Sequence, residues 1–234
     1  MATEIELKLL LPDELAHGLV RAALDAVAGP ADVVEQLNYY LDTRDRRLQA
    51  HRCMVRVRVG GQGNERWVKA TCKSNPKLHA GLMTVGEHEH RLPVELAALW
   101  LQGPPFRTNL TDLQALAWTA DEGPLLRVLP DEAQLHVLGA MATTRRIYRL
   151  DKAFFGATPG PLTLELDHAR FGDRGPDANR YEIEVEHPDA AALEPRISAW
   201  LVGLGVHAWP ADESKFGQML RILEKPESLP RVGD

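Results

Sequence analysis

The sequence predicts an α+β protein: a closed eight-stranded antiparallel β-barrel with a charged lumen and helices packed outside. Three observations lead there. Several segments alternate apolar and charged residues strictly, the period-two mark of strands with two unlike faces. Their charged faces are segregated by sign, strand by strand. Between them lie apolar helical stretches with recognisable start and stop residues.

The first strand is Glu4-Ile5-Glu6-Leu7-Lys8-Leu9, apolar on one parity and charged on the other. Pro12-Asp13-Glu14 starts a helix whose apolar stripe is expected at Leu15, Leu19, Ala22, Ala23 and Ala26, with Gly29-Pro30 as its stop. A strand is expected at Gln36–Asp42, and Met54-Val55-Arg56-Val57-Arg58-Val59 repeats the alternation with arginines. Gly60-Gly61-Gln62-Gly63-Asn64 reads as a hairpin loop into a strand over Arg66–Lys73, followed by Met83–Leu92. Helices are expected at Pro93–Leu101 and Thr111–Ala120, within an insertion of about residues 93–130 that covers the barrel near Trp100 and Trp118. A strand at about His136–Leu150 precedes Leu162-Thr163-Leu164-Glu165-Leu166-Asp167, a loop over Gly172–Asn179, and Glu182-Ile183-Glu184-Val185-Glu186. Helices at Ala190–Leu204 and Glu213–Glu224 complete a single domain over residues 1–225, with a flexible tail at 226–234.

Composition narrows the class. The chain has 234 residues, 44% hydrophobic and 26% charged, which supports a sizeable core and excludes a disordered polymer. A net charge of −6 argues against a nucleic-acid coat or a basic membrane-surface protein. No apolar run approaches the roughly 18 residues that span a bilayer, and the N-terminus opens on charge, so a soluble cytoplasmic protein without nucleic-acid or membrane partners is expected. Cys53 and Cys72 are too few for a disulfide framework; their parity places them on the outer face as reduced thiols.

A charged sheet face is ordinarily a solvated one. Three glutamates on one side of one strand, however, repel one another unless something compensates them. Acid walls facing basic walls across a shared space answer that difficulty, and a closed eight-stranded barrel supplies the space with room for one small ligand. A lumen of carboxylates and guanidinium groups suits a polyanion bound with a hard divalent cation. Zinc is disfavoured, because the nine histidines form no ligand set and His88 and His90 fall on the parity opposite to Glu87 and Glu89.

These residues resemble the CYTH domain, the triphosphate tunnel metalloenzymes. Glu4-x-Glu6-x-Lys8 resembles the N-terminal ExExK signature and Tyr39-Tyr40-Leu41-Asp42-Thr43 the YYDT-like strand. Arg56-x-Arg58 resembles the RxR strand, Thr71-Cys72-Lys73 the lysine strand and Arg145-x-x-Tyr148 the RxxW/Y strand. Leu164-Glu165-Leu166-Asp167 resembles the ELD strand, Glu182-x-Glu184-x-Glu186 the ExExE strand and Ser214-Lys215-Phe216 the late SK element. They occur in family order from residue 4 to 216. Lys69 shares a parity with Lys73, Arg146 and Arg149 compete with Arg145, and Glu87 and Glu89 match a family acidic strand loosely.

The resemblance implies a metal-dependent triphosphatase with Mg²⁺ or Mn²⁺ as cofactor and a small triphosphate as substrate, inorganic triphosphate first. It implies phosphate ligands at Lys8, Arg56, Arg58, Lys69, Lys73, Arg145 and Lys215, and metal ligands at Glu4, Glu6, Glu165, Asp167, Glu182 and Glu184, with Glu186 extending the acid wall. Glu4, Glu6, Lys8 and Asp167 are the catalytic candidates. Thiamine triphosphate hydrolysis, class IV-type adenylate cyclase chemistry and a non-catalytic polyphosphate- or nucleotide-binding module are the alternatives.

Overall fold

A computed structural model describes residues 2–61, 65–102, 108–109, 129, 133–150, 162–171 and 178–224. Eight long strands form the barrel: β1 (Ala2–Leu11), β2 (Asp32–Asp42), β3 (Cys53–Gly60), β4 (Trp67–His79), β5 (Leu82–Leu92), β7 (Gln134–Leu150), β8 (Leu162–Arg170) and β9 (Arg180–Glu186). Their order is β1-β5-β4-β3-β2-β7-β8-β9, every neighbour antiparallel, and β1 pairs with both β5 and β9. That double pairing closes the sheet and leaves no open edge. Two-residue strands β6 (Thr108–Asn109) and β10 (Trp209–Pro210) pair with β7 and β1.

The helices among the described residues are α1 (Glu14–Ala28), α2 (Arg47–Ala50), α3 (Glu95–Gln102), α4 (Ala190–Gly203) and α5 (Lys215–Glu224), the first four packing on the outside. The expected helix at Thr111–Ala120, Trp118, residues 62–64 and 172–177 of the two loops, and the 226–234 tail lie outside the described residues.

Two apolar cores lie between sheet and helices. Under α3, Tyr39, Leu41, Val55, Val57, Val59, Cys53, Cys72 and Trp100 pack together, and the Tyr39 hydroxyl donates to the Trp100 carbonyl at 2.8 Å. Both cysteines are buried on the outer face, as their parity predicts. Under α1 and α4 the core is Leu7, Leu9, Val20, Leu24, Leu164, Ile183, Leu193 and Ile197. Asp13 caps α1 by accepting the Ala16 N–H at 2.8 Å, and the Tyr148 hydroxyl donates to Asp25 at 2.8 Å, tying that helix to β7.

The structure corrects the expected α1 stripe. Leu15 and Leu19 are 73% and 45% exposed and Ala22 and Ala26 are exposed, while Ala16, His17, Val20 and Leu24 face the barrel and Ala23 is half-buried. The helix carries apolar residues on both sides, so periodicity alone leaves the buried side open.

A second correction concerns the lumen, which is not charged along its whole length. Tyr40, Met141, Ala169 and Phe171 form a third core with Met219 and Leu220 of α5. Cross-strand register puts these residues on the lumen face: Tyr40 lies opposite Arg56 and Ala169 opposite Thr143, two residues before Arg145. Helix α5 therefore closes one end of the barrel. Gly139 of β7 permits the approach, since a Cβ there would sit 2.9 Å from Met219 Sδ.

Candidate functional site

Beside the first turn of α5 the lumen opens as a cavity of about 560 Å³. Its wall carries all seven predicted phosphate ligands, Lys8, Arg56, Arg58, Lys69, Lys73, Arg145 and Lys215, and four of the predicted metal ligands, Glu4, Glu6, Glu165 and Glu184. Strand pairing brings them together across long sequence separations. Lys8 lies opposite Glu184, Glu165 opposite Glu184, and Arg145 opposite Asp167.

The acid side is held by buried cations. Lys8 Nζ bonds Glu184 and lies 3.0 Å from Glu6 and 3.6 Å from Glu182. Arg145 makes a two-pronged contact with Asp167 at 2.9 and 2.7 Å, reaches Glu184 at 2.5 Å and pairs with Glu165. Lys215 extends from the first residue of α5 to Glu184 at 2.7 Å, Asp167 at 3.0 Å and Glu182 at 3.4 Å. Burial disfavours the charge on Lys8, Arg145 and Lys215, but the surrounding carboxylates outweigh it and push all three upward, so they stay cationic. Burial likewise works against ionisation of Asp167 and Glu184, yet Arg145 and Lys215, with Lys8 for Glu184, hold both below the usual carboxylate range.

Asp167 and Glu182, predicted as metal ligands, are fully buried and lie behind the cavity wall rather than on it. Lys215 contacts both and Arg145 covers Asp167. Arg145 is thus the arginine of its strand that enters the site. Arg146 falls on the outer parity with Tyr148, and Arg149 is exposed and paired with Asp32 at 2.5 Å.

A second carboxylate cluster sits on β1 and β5. Lys73 Nζ lies 2.6 Å from Glu4, 2.8 Å from Glu87 and 3.9 Å from Glu6. Burial, followed by a hydrogen bond to Glu87, pushes Glu4 up to about 8. Burial also works against ionisation of Glu87, but the proton held by Glu4 and the Lys73 charge prevail and take it to about 2. The two carboxyls thereby share one proton. Burial, with repulsion from Glu184 and Asp167, lifts Glu165 to about 7 against Arg145. Lys69, the other candidate lysine, sits nearer solvent with Glu89 at 2.5 Å, so Lys73 is the inner lysine and Lys69 the outer one. Glu186 is exposed and lines the rim.

Arg56 and Arg58 differ from the other cations. Arg56 Nε and Nη2 and Arg58 Nε are buried with no hydrogen-bond partner among the described residues. Buried donors of this kind are costly unless something accepts from them, and an anion in the cavity would.

Whether the acids suit a metal can be judged from their chemistry. All are carboxylate oxygens, the donors that Mg²⁺ and Mn²⁺ prefer. Glu6 Oε1 and Glu182 Oε1 are buried without a hydrogen-bond donor among the described residues. No three His, Cys, Asp or Glu side chains among the described residues are gathered as a ready metal cluster; lysine and arginine hold them instead. The donor set fits a hard cation once those ammonium and guanidinium groups turn to another anion.

Several wall residues were not legible as site residues. Glu87 had only a loose motif match, yet it bonds both Glu4 and Lys73. Tyr40, Met54, Met83, Val85 and Phe216 add an apolar strip to the wall, and the Tyr40 and Phe216 rings stack at 5.1 Å. Met83 and Val85 share the parity of Glu87 and lie opposite Glu6 and Glu4, but apolar residues on that parity carry no chemical signal in the sequence. Among the described residues no helix is long and apolar enough to cross a membrane.

The CYTH domain profile matches residues 2–197. The chain is similar in structure to HpAC1 from Hippeastrum, a candidate adenylyl cyclase with a dominant triphosphatase activity, at 24% identity and a TM-score of 0.73 over 95% of this chain and 100% of that one. It is also similar to a candidate adenylate cyclase from Bacillus halodurans, at 22% identity and a TM-score of 0.59 over 93% and 98% of the two chains. No curated protein matches it significantly. With the profile spanning both ends of the tunnel's strand order, the chain belongs to the CYTH domain family.

Proposed function

We propose that the protein is a divalent-metal-dependent triphosphatase that hydrolyses the terminal phosphoanhydride of inorganic triphosphate to pyrophosphate and orthophosphate. One observation carries the reading: the seven predicted phosphate ligands, from five elements, line a single cavity, and two of them, Arg56 and Arg58, hold buried donors with no acceptor among the described residues. A linear polyanion satisfies that pattern, because each successive phosphate offers acceptor oxygens to the guanidinium forks.

In this reading Arg56 and Arg58 bind phosphate oxygens first, while Lys8, Lys73, Arg145 and Lys215 exchange carboxylate partners for phosphate. Glu4, Glu6, Glu165 and Glu184, freed of the cations that neutralise them, would hold a Mg²⁺ or Mn²⁺ ion, which would supply positive charge to polarise the phosphoryl group. Glu182 and Asp167 contribute from behind, Asp167 by holding Arg145 and Lys215 in place. Lys8 neutralises charge on the reacting phosphoryl group. Glu4 and Glu6 orient a water that adds to the terminal phosphorus; the anhydride P–O bond breaks, pyrophosphate leaves with the electron pair, and a carboxylate takes the water's proton. Positioning and charge stabilisation supply most of the catalysis, as in other phosphoryl transfers.

A second reading rests on the apolar strip of Tyr40, Met54, Met83, Val85 and Phe216, which gives an organic group attached to the triphosphate a surface to lie on. Purified protein with Mg²⁺ or Mn²⁺, offered tripolyphosphate, thiamine triphosphate and ATP, separates the two. Fastest orthophosphate release from tripolyphosphate supports the first. Preference for thiamine triphosphate or ATP supports the second, cyclic AMP as main product replaces hydrolysis with cyclisation, and binding without turnover identifies a binding module.

A further inference from the structure

Arg180, at the start of β9, belongs to none of the groups described so far. It is 5% exposed and lies on the lumen parity of Glu182 and Glu184. Its Nε donates to Glu182 at 2.5 Å, Nη2 donates to the Glu213 backbone carbonyl at 2.8 Å, and Nη1 donates to Gln218 Oε1 at 3.2 Å. One guanidinium thus joins a sealed carboxylate of the barrel to two points on the chain of α5.

Those two points straddle Lys215. Glu213 precedes it by two residues and Gln218 follows it by three, with Ser214 between, whose hydroxyl accepts the Gly217 N–H at 3.1 Å. Lys215 itself reaches Glu184 at 2.7 Å and Asp167 at 3.0 Å through a long flexible stem, and the attachments beyond it are apolar: Phe216 on Tyr40, and Met219 and Leu220 in the inner core. Apolar packing holds a helix against a surface but resists sliding weakly, whereas a planar five-donor fork with three fixed acceptors sets position along the axis. The same fork orients Glu182, whose other ion pairs, with Lys8 at 3.6 Å and Lys215 at 3.4 Å, are too long to orient it as a hydrogen bond does.

We infer that Arg180 is a positioning residue: it clamps the N-terminal turn of α5 to β9 and thereby fixes where Lys215 and Glu182 present their charges. The activity arm of its test rests on the triphosphatase reading, but the clamp itself does not. Arg180→Lys keeps the charge and loses the fork; Arg180→Met keeps the bulk and loses both, and the apolar attachments of α5 remain in each.

Amide hydrogen exchange on the metal-free full chain reads the clamp directly. Exchange across residues 215–224 should quicken at least about tenfold in both variants while β1 and β9 amides keep their wild-type rates. With tripolyphosphate, Arg180→Lys should lower kcat/KM by about 10- to 100-fold, the range expected when a charged group is misplaced by about an ångström. Added to Lys215→Ala, the same substitution should cost less than about threefold more, because the residue it positions is already gone. Unchanged α5 exchange in both variants overturns the clamp. Losses that simply multiply across the two substitutions overturn the positioning role. Should the wild-type protein fail to hydrolyse tripolyphosphate, the functional reading fails and the exchange result alone decides the clamp.

Discussion

Arg56 and Arg145 line the same cavity with the same chemical group, yet their removal should have different effects on stability. Arg145 holds Asp167, Glu165 and Glu184, all in or beneath the acid wall. Removing one partner from a buried charge cluster costs about 3–5 kcal/mol, so Arg145→Ala should lower the melting temperature by about 10 °C, at roughly 2–4 °C per kcal/mol for a chain of this size. Arg56 has two buried donors without a partner among the described residues, and its repulsion from Lys73 offsets its attraction to Glu87. Arg56→Ala should therefore leave the melting temperature of the metal-free protein unchanged or raised. Its effect belongs to binding: two charge-assisted hydrogen bonds to phosphate, at about 1.5–3 kcal/mol each before compensation, amount to roughly 3 kcal/mol net, or about 100-fold in KM for tripolyphosphate. Differential scanning calorimetry without metal and steady-state phosphate release with it measure the two quantities. A melting temperature for Arg56→Ala depressed as far as that of Arg145→Ala, or a KM within threefold of wild type, would refute the division of the cavity into self-neutralised and ligand-facing cations.

Glu4→Gln and Glu6→Gln should each reduce kcat by at least about tenfold and raise the metal concentration needed for half-maximal rate, measured by titrating Mn²⁺ at saturating substrate. Because Glu4 titrates near 8 and Glu165 near 7, Mn²⁺ must displace protons below those values. Its apparent affinity should climb between about pH 6 and 8 and level off above, with calorimetry in buffers of different ionisation enthalpy reporting about one proton released at pH 7. His17, buried beside His168 and Tyr181 with ring centroids 6.1 and 5.3 Å away, is taken down to about 4 chiefly by burial. Between about pH 4 and 6.5 the unfolded chain binds that proton and the folded one does not, so this contribution is complete above 6.5 and is lost as pH falls toward 4. It amounts to roughly 3 kcal/mol at most. His17→Leu, remote from the cavity wall, should lose less stability than wild type on acidification from pH 7 to 4.5, as read by urea unfolding, with turnover at pH 8 unchanged.

The parity of charged residues was legible from local pattern, because a strand's two faces repeat every second residue whatever the strand later pairs with. Lys215 comes from helix α5, but that parity, with the spacing of Arg145 to Tyr148, put the other six predicted phosphate ligands and four of six predicted metal ligands on one wall. It also divided Tyr39 from Tyr40, the first packing outward on Trp100 and the second inward on Phe216. Other features have no local signature. The buried side of α1 was ambiguous because the helix is apolar on both sides, and His17 rather than Leu15 or Leu19 faces the barrel. Glu87 looked like one more acid on an ordinary strand until β1 and β5 paired and set it beside Glu4 and Lys73.

By itself, then, the sequence determined which residues are strand, which parity carries charge, and that acids and bases in this arrangement belong to one tunnel. Tertiary structure decided who meets whom. Lys8 and Glu184 stand opposite each other across 176 residues, and strand order and register set that encounter rather than either segment's own pattern. The same holds for α5, whose packing turns one end of the lumen into core, seals Glu182 and Asp167 behind Lys215, and leaves Arg56 and Arg58 facing the cavity with donors unmet among the described residues. Alternation is a property of neighbouring residues, whereas partnership between charges falls off over a few ångströms and exists only once the barrel has closed.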